Sequence, residues 1–475
     1  MYKIILVVAL IIIGLSDVTN AQLSIDGELR SRGIAENGFK TPAIKGVDGD
    51  FSFDQRTRLI INFAKEKYST RITVQDARVW GNDDLIGKTG TVGNSSSLSL
   101  YEAWVNLKLG EKSNIKIGRQ EWNYDDMRIL SWRNWWTSGL SYDGILYQMH
   151  NPDKGLNVDL GVSYNNNGSP EGILIDNSNW QADKLKTMNF LNIKKKLGKK
   201  TTGTLMFTMS GKKDITTDDT KLTGTHGILL NHNTEKTGTD GFIGNMSAYY
   251  QHGTDRNKGS DGDYKNISAY MITANAGLRA LEKKLEILLG FELISGRDFT
   301  NTKTDYNNTR HSFDLMYSGR IPYYGGYLNH FIIQDSYVVG TKGGGYFDPY
   351  LKAKYNFDKK NTFEASLFAP MLTTKVKAHT YIDPETGKPA GTELDDNGNV
   401  VYWNGNLGTY LDLSYTHKFS KEIILKAGAS FGTVSDLKNQ MVYGYKNVEN
   451  KELQDMALNT SGWIMLLIRP NFFTN

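Results

Sequence analysis

Apolar and polar residues alternate along most of the chain, in segments of about ten residues separated by polar connections. In residues 51–64 apolar residues occupy odd positions and polar ones even positions: Phe51, Phe53, Leu59, Ile61 and Phe63 against Ser52, Asp54, Arg56, Arg58 and Asn62. Neighbouring side chains of a β-strand point to opposite faces, so this pattern predicts strands with one apolar and one polar face. The same rule applied to 97–109 predicts that Tyr101 lies on the apolar face and Glu102 on the polar face.

Very short connections alternate with long polar ones, and this order predicts the number of strands. Eight short turns, such as Gly110-Glu111-Lys112 and Asp358-Lys359-Lys360, alternate with nine long connections. The long connections lie near 33–51, 81–96, 120–141, 165–184, 211–222, 252–265, 297–344, 372–405 and 434–459. Seventeen connections predict eighteen strands, with short periplasmic turns and long outer loops as in outer-membrane β-barrels. A further strand-like segment, 331–340, is placed within the seventh long loop. If this segment crossed the membrane, the short turn at Asp358-Lys359-Lys360 would lie outside the cell and the long loop at 372–405 would lie in the periplasm.

The first residues are typical of a secretory signal peptide. Lys3 precedes an apolar run from Ile4 to Leu15, and small residues end at Ala21, where a signal peptidase is expected to cut. The prediction is a signal peptide at 1–21 and a single barrel domain at 22–475. The apolar run has about 12 residues and a spanning helix needs roughly 20, so an uncleaved anchor is the less favoured alternative. The chain is therefore expected to be an all-β transmembrane barrel in the outer membrane of a Gram-negative bacterium.

Composition excludes several classes of function. The absence of cysteine rules out disulfides and Cys-based metal or catalytic sites, and a net charge of +4 is too small to indicate nucleic-acid binding. The 26 Tyr and 9 Trp residues fit aromatic girdles at two membrane interfaces or a carbohydrate-handling surface. Acid-rich turns at Asp48-Gly49-Asp50, Asp261-Gly262-Asp263 and 395–399 leave loop calcium open, although such clusters are also ordinary turn chemistry. No other cofactor is expected.

The assigned faces place many charged side chains inside the predicted barrel. A charge on the lipid face costs about 2–4 kcal/mol near the midplane, so a lumenal position is favoured. The candidate pore-lining residues from the first five strands are Arg30, Arg32, Asp54, Arg56, Arg58, Arg71, Asp76, Glu102 and Lys116. Arg78 is out of phase with Arg71, and Arg119 is in phase with the apolar Ile117, so each is expected near the rim or turned inward by a bulge.

An arginine wall with interleaved carboxylates has two interpretations. In one, the charges neutralise each other and stiffen the barrel. In the other, the arginines form a selectivity surface, because a guanidinium matches a carboxylate and the low-dielectric walls focus the potential on a passing anion. The second interpretation is favoured, and both can hold together.

Three stretches resemble the alginate-export family of outer-membrane porins. The first runs from Gly118-Arg119-Gln120 through Tyr124–Leu130 and Trp135-Trp136 to Ser141–Gly144. The second is Gln75–Gly81 followed by Tyr101–Val105, and the third is Phe313–Tyr317 followed by Tyr323–Gly326. These motifs occur in order, and the likeness extends loosely over nearly all of the mature chain.

The resemblance implies a monomeric barrel of eighteen strands with an electropositive constriction through which polyuronate leaves the cell. It also implies that the matching Arg78, Arg119 and Arg128 carry the anion path, with the lumenal Arg56, Arg58 and Arg71. Acidic lumenal residues dilute a purely anionic preference, and the solute depends on loops that differ most within such families.

The sequence therefore predicts a porin for passive diffusion of small polar or anionic solutes, with uronate oligo- or polysaccharides as one candidate, and no enzyme. A barrel hydrolase of lipids or peptides and a surface adhesin stay open as alternatives. The eight His residues lie in loops or at strand ends without motif context, which disfavours the hydrolase. Energy-coupled uptake needs a plug domain, whereas the strand pattern begins at Leu23. Expected partners are outer-membrane lipid, lipopolysaccharide, the barrel-assembly machinery and the solute.

Overall fold

The structure, a computed structural model, describes residues 21–38, 41–81, 98–165, 185–214, 217, 219–235, 238–258, 262–315 and 343–475. The predicted signal peptide lies outside these residues, apart from Ala21. Among the described residues, no helix has both the length and the apolar character needed to cross a membrane.

Eighteen long antiparallel strands form a closed barrel, as the alternation of loop lengths predicts. In chain order they are β1 (Gln22–Asn37), β2 (Asp50–Ala64), β3 (Tyr68–Val79), β4 (Ser99–Lys108), β5 (Ser113–Gln120), β6 (Tyr142–Asn151), β7 (Leu156–Tyr164), β8 (Thr187–Lys196), β9 (Thr201–Lys213), β10 (Thr220–His232), β11 (Gly241–Lys258), β12 (Tyr264–Ala280), β13 (Leu285–Ile294), β14 (Tyr346–Asn356), β15 (Asn361–Phe368), β16 (Gly408–Lys418), β17 (Ile423–Val434) and β18 (Asn459–Ile468). Each strand pairs with the next, and β1 pairs with both β2 and β18, which closes the ring. Closure leaves no unpaired sheet edge in contact with lipid.

Shorter elements lie in the connections. The two-residue strands are Thr309–Arg310, Met371–Leu372, Val376–Lys377, Tyr381–Ile382, Pro389–Ala390 and Tyr402–Trp403, and Asn471–Thr474 pairs with the start of β1. The helices are α1 (Thr304–Asn307) and α2 (Asp436–Tyr443). The Ser435 hydroxyl accepts a hydrogen bond from the Lys438 amide and caps the first turn of α2.

The segment predicted to lie inside the seventh long loop, 331–340, falls outside the described residues. The strands on either side of that loop, β13 and β14, pair directly and antiparallel from Leu285↔Tyr355 to Ile294↔Tyr346. The barrel therefore has eighteen long strands with β13 and β14 as neighbours, and the first residues of β1 and the last residues of β18 both lie at the end with short turns.

The two faces of the strands follow the predicted alternation. On β2 the outward Leu59 is 43% exposed, whereas the inward Arg56 is fully buried. The predicted face is wrong for one of these residues. Tyr101 was expected on the lipid face, but the register between β3 and β4 shifts between Thr73 and Val74, and Tyr101 is only 4% exposed. A bulge inserts one extra residue and reverses the orientation of the side chains that follow it.

Three long loops pack on one another at the end opposite the short turns. The amide of Tyr445, just after α2, donates to the Thr380 carbonyl (3.0 Å), and the Ala457 amide donates to the Ala43 carbonyl (2.9 Å). The Tyr443 hydroxyl donates to the Pro42 carbonyl. These contacts join the first, eighth and ninth long loops into one folded layer at the extracellular end.

Candidate solute pathway

The connection between β5 and β6, residues 121–141, folds into the barrel and is here called the lumenal loop. Its apolar anchor is Trp122, which is fully buried and stacks on Tyr142 with ring centroids 4.7 Å apart. The inward Gly144 makes room for it, since a Cβ there would lie 2.7 Å from the Trp122 ring. A small residue on the wall therefore admits a large one from the loop.

The arginines of β1 and β2 hold the other part of this loop. Arg30 Nη1 donates to the Asn134 carbonyl (2.5 Å), and Arg56 Nη2 donates to Asn134 Oδ1 (2.8 Å). Arg32 Nη1 donates to the Trp135 carbonyl (2.9 Å), and its guanidinium lies 4.4 Å from the Trp135 ring centroid. All three arginines point inward as predicted, but they are no more than 4% exposed because the lumenal loop covers them.

Carboxylates on the same strands accept further hydrogen bonds from Arg56 and Arg32. Arg56 donates to Glu28 Oε1 through Nε (2.9 Å) and Nη2 (2.5 Å). Arg32 donates in the same way to Asp54 Oδ2 (2.9 and 2.5 Å). These contacts agree with the first interpretation of the arginine wall, in which arginines and carboxylates neutralise each other and stiffen the barrel.

The inward cations of β2 to β5 differ in exposure: Arg58 is buried, whereas Arg71 and Lys116 are partly open to the lumen. Arg58 donates to Gln75 Oε1 (2.8 Å) and stacks on the Tyr101 ring at 3.7 Å. Arg71 is 38% exposed, with Nη1 3.5 Å from Glu102 Oε2. The Lys116 ammonium lies 4.5 Å from the Trp104 ring centroid. Arg71 and Lys116 are thus the predicted cations of these strands that can meet a solute.

Three predicted pore-lining residues lie on the outer face instead. Asp76 and Arg78 pair with each other (2.5 Å) and are in register with outward positions of β2. Arg119, at the end of β5, pairs with Asp143 on β6 (2.7 Å), and both side chains are well exposed. Each charge has an opposite charge beside it near the long-loop rim, so no inward rotation is needed. The assignment of Asp76, Arg78 and Arg119 to the lumen is corrected.

Arg128 fixes the lumenal loop to the opposite wall. Its Nε and Nη2 donate to Glu292 Oε2 on β13 (3.2 and 3.0 Å), and its Nη1 donates to Asp126 Oδ2 (3.2 Å). Asp126 also accepts from the hydroxyls of Ser247 (2.8 Å) and Tyr249 (2.7 Å) on β11. The loop therefore spans the lumen from β1 and β2 to β11 and β13.

A second set of contacts ties the same loop to β7, β8 and β9. The Tyr124 hydroxyl donates to Asp159 Oδ2 (2.9 Å). Asp125 accepts from Asn192 (2.5 Å) and Thr204 (3.2 Å), and Lys194 Nζ lies 4.0 Å from it. Burial raises the pKa of the Asp125 carboxyl above its ordinary value.

Beside this part of the loop lies a polar cavity of about 400 Å³. Its lining includes Arg128, Lys194, Asn275 and Lys352. A neighbouring cavity of about 430 Å³ shares Lys194 with it and reaches Pro152 in a short periplasmic turn. The two cavities share part of their lining and lie between the periplasmic end of the barrel and the lumenal loop.

Three inward lysines on separate walls have no hydrogen-bond acceptor or ion-pair partner among the described residues: Lys116 on β5, Lys352 on β14 and Lys426 on β17. Lys352 Nζ lies 4.6 Å from the Tyr350 ring centroid and 5.4 Å from that of Phe368. Only Lys116 was among the predicted residues. Lys352 could have been predicted as an inward residue from the sequence, because Asp348, Tyr350 and Lys352 alternate with apolar outward residues on β14.

The calcium prediction rests on loops whose described part shows hydrogen-bonded turns. Asp395 Oδ1 accepts from the amides of Asn397 (2.9 Å) and Asn399 (2.8 Å), and these backbone hydrogen bonds lower the pKa of Asp395. No cluster of three or more acidic or histidine side chains suited to a metal occurs among the described residues. Asp261 lies outside them. Loop calcium stays a prediction.

Comparison with known proteins confirms the resemblance for the first two of the three stretches, and the third stretch stays a prediction. The sequence profile of the alginate export family matches residues 21–163. No curated protein sequence matches the chain.

Solved structures of outer-membrane porins share the fold. OccK8 (OprE) of Pseudomonas aeruginosa superposes with a TM-score of 0.57 at 10% identity, covering 95% of this chain and 98% of that one. The outer membrane protein OprD of the same organism gives 0.56 at 10% identity, with 95% and 94% covered. OccAB4 of Acinetobacter baumannii gives 0.56 at 11% identity, with 96% and 99% covered. The chain is thus a β-barrel of the kind found in Gram-negative outer membranes.

Proposed function

We propose that this porin-like outer-membrane barrel, similar to alginate-export proteins over residues 21–163, is a passive channel for small anionic or polar solutes. The observation that carries the proposal is the trio of inward lysines without partners among the described residues, Lys116, Lys352 and Lys426. A carboxylate about 4 Å from one such ammonium gains roughly 4 kcal/mol at an effective dielectric of about 20. A cation passing the same groups is repelled by a similar amount.

The lumenal loop supports a selective rather than a wide-open channel. It contacts inward residues of β1, β2, β7, β8, β9, β11 and β13, so it narrows the barrel on all those sides. Lys352 on β14 lines the same cavity as Arg128 of the loop, and Lys426 points into the lumen from β17. A solute that crosses the barrel there passes between the loop and these ammonium groups.

The lining also suits hydroxyl-bearing anions. Asn231, Asn245 and Asn275 are register partners on β10, β11 and β12, and they line the cavity beside Lys352. Side-chain amides both donate and accept hydrogen bonds, as sugar hydroxyls require. Uronate oligosaccharides, which carry hydroxyls and a carboxylate, are therefore the solute class that we favour. Transport rather than hydrolysis is proposed, and the monomeric state stays a prediction.

The test is ion selectivity of the purified barrel in planar lipid bilayers under a KCl gradient, with and without uronate oligosaccharides. The reversal potential is expected to show anion preference, and uronates should reduce the current. Replacing the three lysines together (Lys116→Gln, Lys352→Gln, Lys426→Gln) should shift the reversal potential towards cations. A matched control replaces three exposed loop lysines (Lys45→Gln, Lys303→Gln, Lys388→Gln) and should leave it unchanged. Cation preference in the unmodified protein without uronate block would refute the proposal.

A further inference from the structure

Four of the short turns repeat one pattern, an exposed apolar residue followed after one spacer by lysine. The turns are Leu197–Lys200, Leu281–Lys284, Phe357–Lys360 and Phe419–Glu422, which connect β8 to β9, β12 to β13, β14 to β15 and β16 to β17. The leading residues Leu197, Leu281, Phe357 and Phe419 are 61%, 59%, 55% and 55% exposed. Large apolar side chains held open at one end of the barrel need a partner other than water.

The backbone of these turns fixes where the apolar side chains point. The amides of Leu197, Phe357 and Phe419 donate to the carbonyls of the residues four positions later, at 2.9, 3.0 and 3.0 Å. Phe357 continues the outward row of β14 and lies 4.9 Å from the Tyr355 ring. Each of the three therefore extends the lipid-facing row of its strand to the short-turn rim.

The turn at Leu281 is stabilised by a carboxylate from a neighbouring connection. Leu281, Glu282 and Lys283 all adopt positive φ (57°, 57° and 68°), which is unfavourable for residues with a side chain. The Asp240 carboxylate accepts from the amides of Glu282 (2.9 Å) and Lys283 (2.7 Å) and so stabilises this conformation. The strained turn again places an apolar residue, followed by one spacer (Glu282), before two exposed lysines.

The lysines of the first three turns are available for binding. Lys199, Lys200, Lys283, Lys284, Lys359 and Lys360 are exposed, and none of their ammonium groups has a hydrogen bond or ion pair with a described residue. A lysine whose stem follows apolar surface can place its ammonium at the level of lipid phosphates. Clustered lysines at a membrane surface attract anionic headgroups.

We propose that this rim, defined by the four turns, binds anionic phospholipids of the periplasmic leaflet, with the apolar residues in the acyl-chain boundary and the lysines on the phosphates. An acidic soluble protein would match the lysines but not the outward Leu and Phe side chains, which continue the lipid-facing rows. The proposal concerns the outside of the barrel and is independent of the proposed channel.

The test is lipid binding to the full-length mature barrel in detergent, followed by native mass spectrometry. Phosphatidylglycerol is expected to be retained in several copies, and phosphatidylcholine of the same chain length in fewer. The variant Lys199→Gln, Lys200→Gln, Lys359→Gln, Lys360→Gln should bind phosphatidylglycerol at least about tenfold more weakly, since each lysine near an anionic surface contributes several-fold.

A matched variant removes four exposed lysines from long loops (Lys45→Gln, Lys303→Gln, Lys377→Gln, Lys388→Gln) and should bind phosphatidylglycerol like the unmodified barrel. Gel mobility before and after heating reports whether each variant is folded. Equal retention of the two lipids, or equal loss of phosphatidylglycerol in both variants, would overturn the proposal. Replacement of Leu197 and Phe357 by Ser should weaken retention of both lipids.

Discussion

Removing the guanidinium of Arg128 is expected to loosen the lumenal loop. Arg128 and Glu292 form a buried pair at 3.0 Å, with side chains 9% and 4% exposed. Removing one partner of a buried pair costs roughly 3–5 kcal/mol, because the remaining charge is left without compensation. Arg128 also lines the polar cavity beside the loop, so we take the lower end of this range. A change of about 3 kcal/mol corresponds to a shift of roughly 150-fold in the equilibrium between seated and detached loop.

The measurement compares Arg128→Met with the unmodified barrel by urea unfolding in lipid vesicles and by single-channel recording. The free energy of unfolding should fall by about 3 kcal/mol, and the open-channel current should fluctuate more. Adding Glu292→Gln to Arg128→Met should restore part of the loss, since the more buried of the two carboxylates that Arg128 pairs with is then no longer charged. The control is Arg119→Met, which breaks an ion pair with side chains 40% and 54% exposed and should cost no more than about 1 kcal/mol. Equal effects of the two single variants, or a quiet Arg128→Met channel, would refute the reasoning.

Three further predictions follow from the same contacts. Burial raises the pKa of Asp125 above its ordinary 3.8, so the stability that its proton contributes is present below 3.8 and lost as pH rises through the raised pKa. Asp125→Asn should remove this part of the pH dependence of the unfolding free energy, and an unaltered profile would count against it. Gly144→Ala would place a Cβ 2.6 Å from the Val162 carbonyl and 2.7 Å from Trp122; overpacking of about 1–3 kcal/mol and a changed tryptophan fluorescence spectrum are expected. Arg78→Gln and Arg119→Gln should leave the reversal potential unchanged, because both side chains lie on the outer face.

The number of strands could be predicted because lipid imposes a strict condition on every crossing. One strand more or fewer would move the later long loops from the extracellular to the periplasmic end of the barrel, and a shifted strand would turn an apolar row into the lumen. The order of short and long connections alone therefore indicates eighteen strands. The faces of β1 and β2 could be assigned for the same reason. Arg30, Arg32 and Arg56 point inward as expected.

Local irregularities could not be predicted from a regular alternation. The bulge at Tyr101 reverses the faces within β4. Its signal in the sequence is the change of the apolar positions from even (Leu98, Leu100) to odd (Ala103, Val105), which is missed when one parity is assigned to the whole strand. Asp76, Arg78 and Arg119 follow the alternation correctly onto the outer face, but their charge suggested an inward position. Each is neutralised by a partner two residues away or on the next strand, which removes most of the cost of an exposed charge near the rim.

The unequal roles of arginine and lysine in this lumen follow from the chemistry of the two groups. A guanidinium is a planar fork with five donors, so one arginine can satisfy a wall carboxylate and a loop carbonyl together, as Arg32 does with Asp54 and Trp135. A guanidinium in such a position donates its hydrogen bonds within the protein and has few donors left for a solute. An ammonium over an aromatic ring, as at Lys352, keeps its donors free. Sequence alone shows both as inward cations, and only the path of the lumenal loop separates the cations that anchor it from those left to select a solute.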